Sequence, residues 1–83
     1  SIEYTFTSDL KIYPNPVNSI LNVQATQRIT KIEIFDVFGK KLKTIIDDST
    51  LIHLKMDSYA KGIYFLKIYS EEMSFIVEKV IKK

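Results

Sequence analysis

Apolar and polar residues alternate with a period of two along nearly the whole of this 83-residue chain, as they do in strands that bury one face. Ile2, Tyr4 and Phe6 share one side of a first expected strand, and Leu10 and Ile12 lead into a proline-containing segment. Leu21, Val23 and Ala25 alternate with Asn22 and Gln24, and Ile32 and Ile34 with Lys31, Glu33 and Phe35. Asp36-Val37-Phe38-Gly39 supplies a turn, with Gly39 available for positive φ, and Lys40 to Ile46 returns as the second arm of a hairpin. Beyond the polar break Asp47-Asp48-Ser49-Thr50, Ile52 and Leu54 mark a short strand. Gly62 to Tyr69 and Phe75 to Ile81 make the last two, joined by Ser70-Glu71-Glu72. This spacing and the richness in Val, Ile, Tyr and Phe predict an all-β fold, an antiparallel β-sandwich of about seven strands.

The last segment also fits a helical stripe through Met73, Ile76, Val77, Val80 and Ile81, but its β-branched residues disfavour helix and the prediction is a strand. Such a strand is apolar on both faces, which suits an interior position or an edge built to meet a partner. In Ile12-Tyr13-Pro14-Asn15-Pro16 the prolines lack a backbone N–H and fix φ, so this stretch is expected at a sheet edge, stiff and solvated. In Gly62-Ile63-Tyr64, a glycine at a strand entrance is followed by a tyrosine whose hydroxyl is expected to bond the preceding loop, as a tyrosine corner does.

Eighty-three residues make one small domain with a thin core, hiding about 60% of its unfolded surface. Twelve basic and ten acidic side chains leave a net charge of +2, too small to argue for nucleic acid. No apolar run approaches the roughly 20 residues that span a bilayer, and the amino end does not read as a signal peptide. Ser1 in place of an initiator methionine suggests a piece of a longer chain, with any export signal upstream.

Candidate chemistry is sparse. Without cysteine, disulfides, thiol catalysis and thiolate metal sites are excluded, and one histidine falls short of a zinc site. His53 alternates with Ile52 and Leu54 and so points away from the side they bury, a poor general base. Asp47, Asp48 and Ser49 lack the spaced ligands and glycine of a calcium loop, and the adjacent Glu71 and Glu72 diverge rather than face each other. With two glycines, both in turns, there is no phosphate-cradling loop. Phe35, Tyr59 and Phe65 are candidates for stacking a sugar or base, although isolated aromatics of this kind are common packing residues. The expectation is a non-enzymatic module without cofactor or metal.

Four segments in order carry a family resemblance: Leu10-Lys11-Ile12-Tyr13-Pro14-Asn15-Pro16-Val17, Ile32 to Lys40, Gly62 to Ile68, and Lys79-Val80-Ile81-Lys82-Lys83. Together they resemble the type A C-terminal sorting domain of the type IX (Por) secretion system of Bacteroidota-type bacteria. The proline pair, the Gly-x-Tyr and the basic terminus correspond to its three recurring motifs. The resemblance implies an immunoglobulin-like sandwich, with residues 1–9 joining an upstream cargo protein and 10–83 forming the sorting domain. It also implies passage of a covalently fused cargo through the periplasm to the cell surface or medium. The implied partners are the translocon and its surface-attachment, sortase-like components, with no nucleic acid and no membrane insertion by the domain itself. Translocon recognition is expected at Pro14, Asn15, Pro16, Gly62, Tyr64, Lys79, Val80, Lys82 and Lys83. Removal of Lys79 to Lys83 is expected to silence the signal and leave the fold intact. The rival reading is a carbohydrate-binding or adhesive β-sandwich appended to a secreted enzyme.

Overall fold

The computed structural model describes residues 9–72 and 74–83, so the strand expected through Ile2, Tyr4 and Phe6 lies outside the described residues. The strands are β1 (Lys11–Tyr13), β2 (Ile20–Phe35), β3 (Lys41–Lys55), β4 (Gly62–Ser70) and β5 (Phe75–Lys82). They form one curled antiparallel sheet in which β2 is central: β1 and the second half of β3 pair with its first half, while the first half of β3 and then β4 pair with its second. β5 follows β4 at the far side.

Five strands stand where about seven were expected. The polar stretch that reads as a break, residues 47–50, is crossed by β3, and the segments expected around Leu21 to Ala25 and around Ile32 to Ile34 join into the one long strand β2. Side chains replace some of the ladder there. The Arg28 guanidinium donates to Asp48 Oδ1 at 2.7 Å and to the Asp48 carbonyl at 3.0 Å, and Ser49 Oγ donates to the Leu51 carbonyl at 2.7 Å. This exposed ion pair raises the Arg28 pKa and lowers that of Asp48, each through its hydrogen bond to the other.

Register shifts between Gln24 and Ile29 and between Ile29 and Lys31 mark irregularities where β2 turns its other face inward. Before them Leu21, Val23 and Ala25 are buried, and after them Ile32 and Ile34. An extra residue inverts a two-residue period, so the two halves of one strand turn opposite faces toward the core. Both halves of β2 feed one core, in which Leu21, Val23, Ile52 and Leu54 join Ile32, Ile34, Leu66, Ile68, Val80, Val17 and Met56. Each fully buried aliphatic side chain contributes about 1.5–3 kcal/mol through area removed from water.

The expected hairpin closes at Asp36 to Gly39. Gly39 adopts φ +83°, and its N–H donates to the Asp36 carbonyl at 3.1 Å. Asp36 Oδ1 accepts from the amides of Phe38 and Lys40, both at 2.9 Å, which fixes the turn through one carboxylate.

Candidate recognition site

Three stretches far apart in sequence meet along β5. The segment after β1 crosses to the outer edge of β5, the side not paired with β4. There the Val17 amide donates to the Ile81 carbonyl at 2.8 Å and the Lys83 amide to the Val17 carbonyl at 2.9 Å. Val17 and Lys82 form an isolated parallel bridge, and Val17 is completely buried. One step back, the Asn15 carboxamide acts as a substitute peptide group. Its Nδ2 donates to the Lys79 carbonyl at 3.1 Å, and its Oδ1 accepts from the Ile81 amide at 3.0 Å. Proline cannot supply a main-chain donor on either side, so the side chain of the residue between supplies one. Pro14, Asn15 and Pro16 are all exposed, and both X-Pro peptide bonds, Tyr13–Pro14 and Asn15–Pro16, are cis.

On its other side β5 pairs with β4, with Gly62 opposite Lys82, Ile63 opposite Ile81, Tyr64 opposite Val80 and Phe65 opposite Lys79. Gly62 has φ +152°, and a Cβ there would meet nothing within 4 Å, so the demand for glycine is conformational rather than steric. The Tyr64 hydroxyl donates to the Ala60 carbonyl at 2.6 Å, the expected corner. Its ring stacks on Tyr59, centroids 5.4 Å apart, and burial raises the Tyr59 pKa. Tyr64→Phe is expected to cost about 1 kcal/mol, the net worth of one such hydrogen bond. Chemical denaturation measures this, and an unchanged midpoint would sink the corner's role.

The nine motif residues therefore fall into one region, but not onto one surface. Val80 is fully buried, and Tyr64 and Lys82 are nearly so. The Lys82 ammonium donates to the main-chain oxygen of Lys83 at 2.9 Å, so it is not the free tip charge that the sequence implied. Lys79 and Lys83 are exposed. Nor is β5 an open edge along its whole length. From Lys79 onward the proline segment occupies its outer hydrogen-bonding groups, which also makes the last five residues part of the fold rather than a detachable tail.

A second cluster, on the outer face of β2, β4 and β5, is scattered in sequence. Strand register aligns Lys31 with Tyr69 and Phe75, and Glu33 with Lys67 and Val77. The Lys31 ammonium lies 4.4 Å from the Tyr69 ring centroid, and that of Lys67 lies 4.2 Å from Phe75. Glu33, though on this face, is buried. It accepts from the Tyr69 hydroxyl at 2.8 Å and faces Lys41 at 3.4 Å. The Tyr69 hydrogen bond, then Lys41 and Lys31, hold its carboxyl below the usual range despite burial.

A folded-state pKa below the unfolded value of about 4.3 adds stability above that value. The contribution fades as pH falls through the folded pKa. Wild type is accordingly expected to lose stability more steeply than Glu33→Gln between pH 5 and the acid limit (about two units lower). Urea titrations across that range provide the check, and parallel curves would refute it.

His53 is exposed, and its Nδ1–H donates to Asn22 Oδ1 at 2.6 Å. It lines a depression of about 200 Å³ with Ile34, Lys43, Ile45, Leu54 and Lys55. Among the described residues no helix is long and apolar enough to cross a membrane. Asn15 was legible as part of a stiff edge segment but not as a clasp, because its partners lie 64 and 66 residues away. Val17 carried no signal beyond being apolar.

Fold and site together define a small antiparallel β-module whose distinctive residues knit its last strand to its first. Its sequence matches the family of secretion system C-terminal sorting domains over residues 11–83, and the chain belongs to that family, that of type IX secretion. No curated protein matches it. Among solved structures it is similar to PorZ, described as an essential bacterial surface component of the type-IX secretion system of Porphyromonas gingivalis. That match has a TM-score of 0.74 and 17% identity, and covers 89% of this chain and 11% of PorZ. The likeness is one of fold, and the chain spans about a tenth of that protein's length. Membership in a family of secretion signals implies a secreted or surface protein.

Proposed function

We propose that this chain is a non-catalytic C-terminal sorting signal that directs an attached cargo protein through the outer-membrane type IX translocon. Cargo would arrive from the periplasm, with removal of the domain and surface attachment of the cargo to follow. Residues 1–9 would join that cargo to a sorting domain of residues 10–83. The observation that carries the reading is the convergence of Pro14-Asn15-Pro16, Gly62 and Tyr64 on the segment Lys79 to Lys83, in a chain of the sorting-domain family. Recognition is assigned to the region these nine residues build. The curled sheet is read as an immunoglobulin-like sandwich in which β2 and β3 each serve as two strands, one per layer, which gives seven.

The carbohydrate-binding alternative needs open aromatic faces. Here lysine ammonium groups lie over Tyr69 and Phe75, Tyr59 stacks on Tyr64, and Phe35 and Phe65 are half-buried, while the exposed rings of Tyr13 and Phe38 stand at opposite ends of β2 and form no row. Fusing these residues to a fluorescent protein with an amino-terminal signal peptide tests the proposal. The expected result is fluorescence outside the cell in a host with the translocon, and periplasmic retention in one without it. Equal export from both hosts would refute sorting, and glycan-array binding by the domain would favour the alternative.

A further inference from the structure

We propose that the motif residues mainly hold the last strand in place, and that the partner is met by the outer face of β4 and β5, which fits an acidic protein surface. This rests on the sorting reading and names the surface that carries it. Asn15 spends its carboxamide on Lys79 and Ile81, Tyr64 spends its hydroxyl on Ala60, and Val17, Val80 and Lys82 are buried. Little of their chemistry is left for a partner.

What this framework presents is a patch built by cross-strand pairing: Ile63 beside Ile81, Phe65 beside Lys79, and Lys67 beside Val77. Ile63, Val77 and Ile81 are 40%, 51% and 40% exposed, an unusual density of open aliphatic surface for so small a domain. No carboxylate stands among the six. The nearest on this face, Glu33, is buried and already engaged by Tyr69 and Lys41. Lys31 adds a further positive charge beside Tyr69. Lysines set between exposed aliphatic side chains, with Ile63 and Ile81 at one end and Val77 beside Lys67, are the composition of a protein-docking patch, and their charge complements carboxylates. The ammonium groups over the aromatic rings leave little ring face for stacking a sugar, so the occupant is an acidic protein surface rather than a glycan.

The test combines export and direct binding. Lys67→Glu with Lys79→Glu, and the milder Lys67→Gln with Lys79→Gln in case the first disturbs packing, are placed in the fluorescent fusion. Thermal melting of each purified domain is measured alongside. The glutamine pair is expected to melt like wild type, and the glutamate pair to be exported about tenfold more slowly, equivalent to ~1.4 kcal/mol. Asn15→Ala is expected to show the reverse balance, a lower melting temperature with export falling only as far as folding does. Independently, NMR titration of the chain with poly-L-glutamate is expected to shift the amides of Phe65, Lys67, Val77 and Lys79, with the shifts suppressed by salt. Wild-type export by the folded Lys67→Glu, Lys79→Glu variant (or by the Lys67→Gln, Lys79→Gln variant where only that one folds), shifts centred elsewhere, or tighter binding of polygalacturonate than of poly-L-glutamate would overturn the proposal. Failure of the wild-type fusion to leave the cell would instead count against sorting itself, and the titration would still decide the surface.

Discussion

A chain truncated after Glu78 is expected to unfold under conditions where the full chain is folded. The missing residues take with them Val80, fully buried, and the strand pairs Gly62–Lys82, Ile63–Ile81, Tyr64–Val80 and Phe65–Lys79. They also leave Val17 and Asn15 without partners. Loss of the valine alone costs about 1.5–3 kcal/mol, and each main-chain hydrogen bond about 1 kcal/mol more. A domain of this size has about 4–12 kcal/mol in total, so the sum is comparable with the whole stability. Urea denaturation followed by circular dichroism should show the midpoint falling most of the way to zero. A midpoint like that of the full chain would mean the clasp is dispensable. The consequence for function is practical: loss of export on such a truncation reports on folding as much as on recognition, and point substitutions at exposed positions separate the two.

The second large effect belongs to the core. Leu66 is fully buried, flanked in register by Ile34 on β2 and Glu78 on β5, and it belongs to the one hydrophobic core. Leu66→Ala is expected to destabilise by about 3–5 kcal/mol, the transfer loss of the removed atoms plus the cavity left behind. Leu51→Ala makes the control. Leu51 lies on β3 in the opposite phase to Ile52 and Leu54 and is 42% exposed, so its truncation should change stability by about 0.5 kcal/mol or less. Both are read from denaturation midpoints at constant slope. Equal effects at the two positions would mean that the inward phase of β3 or β4 has been assigned to the wrong residues.

Period-two alternation was enough to place β4, the hairpin at Asp36 to Gly39, and a strand rather than a helix at the chain's end, because each depends on neighbours a few residues apart. The same is true of Tyr64, whose acceptor Ala60 is four residues away. Strand number went astray where local polarity and ladder pairing disagree. Asp47, Asp48 and Ser49 look like a turn, yet side-chain bonds from Arg28 and Ser49 let β3 run on, and irregularities near Ile29 let β2 change face. Lysine usually stands in water, yet Lys82 is buried. The pairing of Lys82 with Gly62 placed it in the inward phase beside Val80.

By itself, then, the sequence determined the class of fold, the hairpin turn at Asp36 to Gly39, the corner tyrosine and the family, all of which are written in short-range pattern and ordered motif. Only the tertiary structure decided that Asn15 and Val17 complete the edge of β5, that Glu33 is enclosed by Tyr69 and lysines, and which lysines face water. Those outcomes rest on contacts between residues tens of positions apart, whose register is set by how the curled sheet closes on one core, and no local pattern encodes that sum.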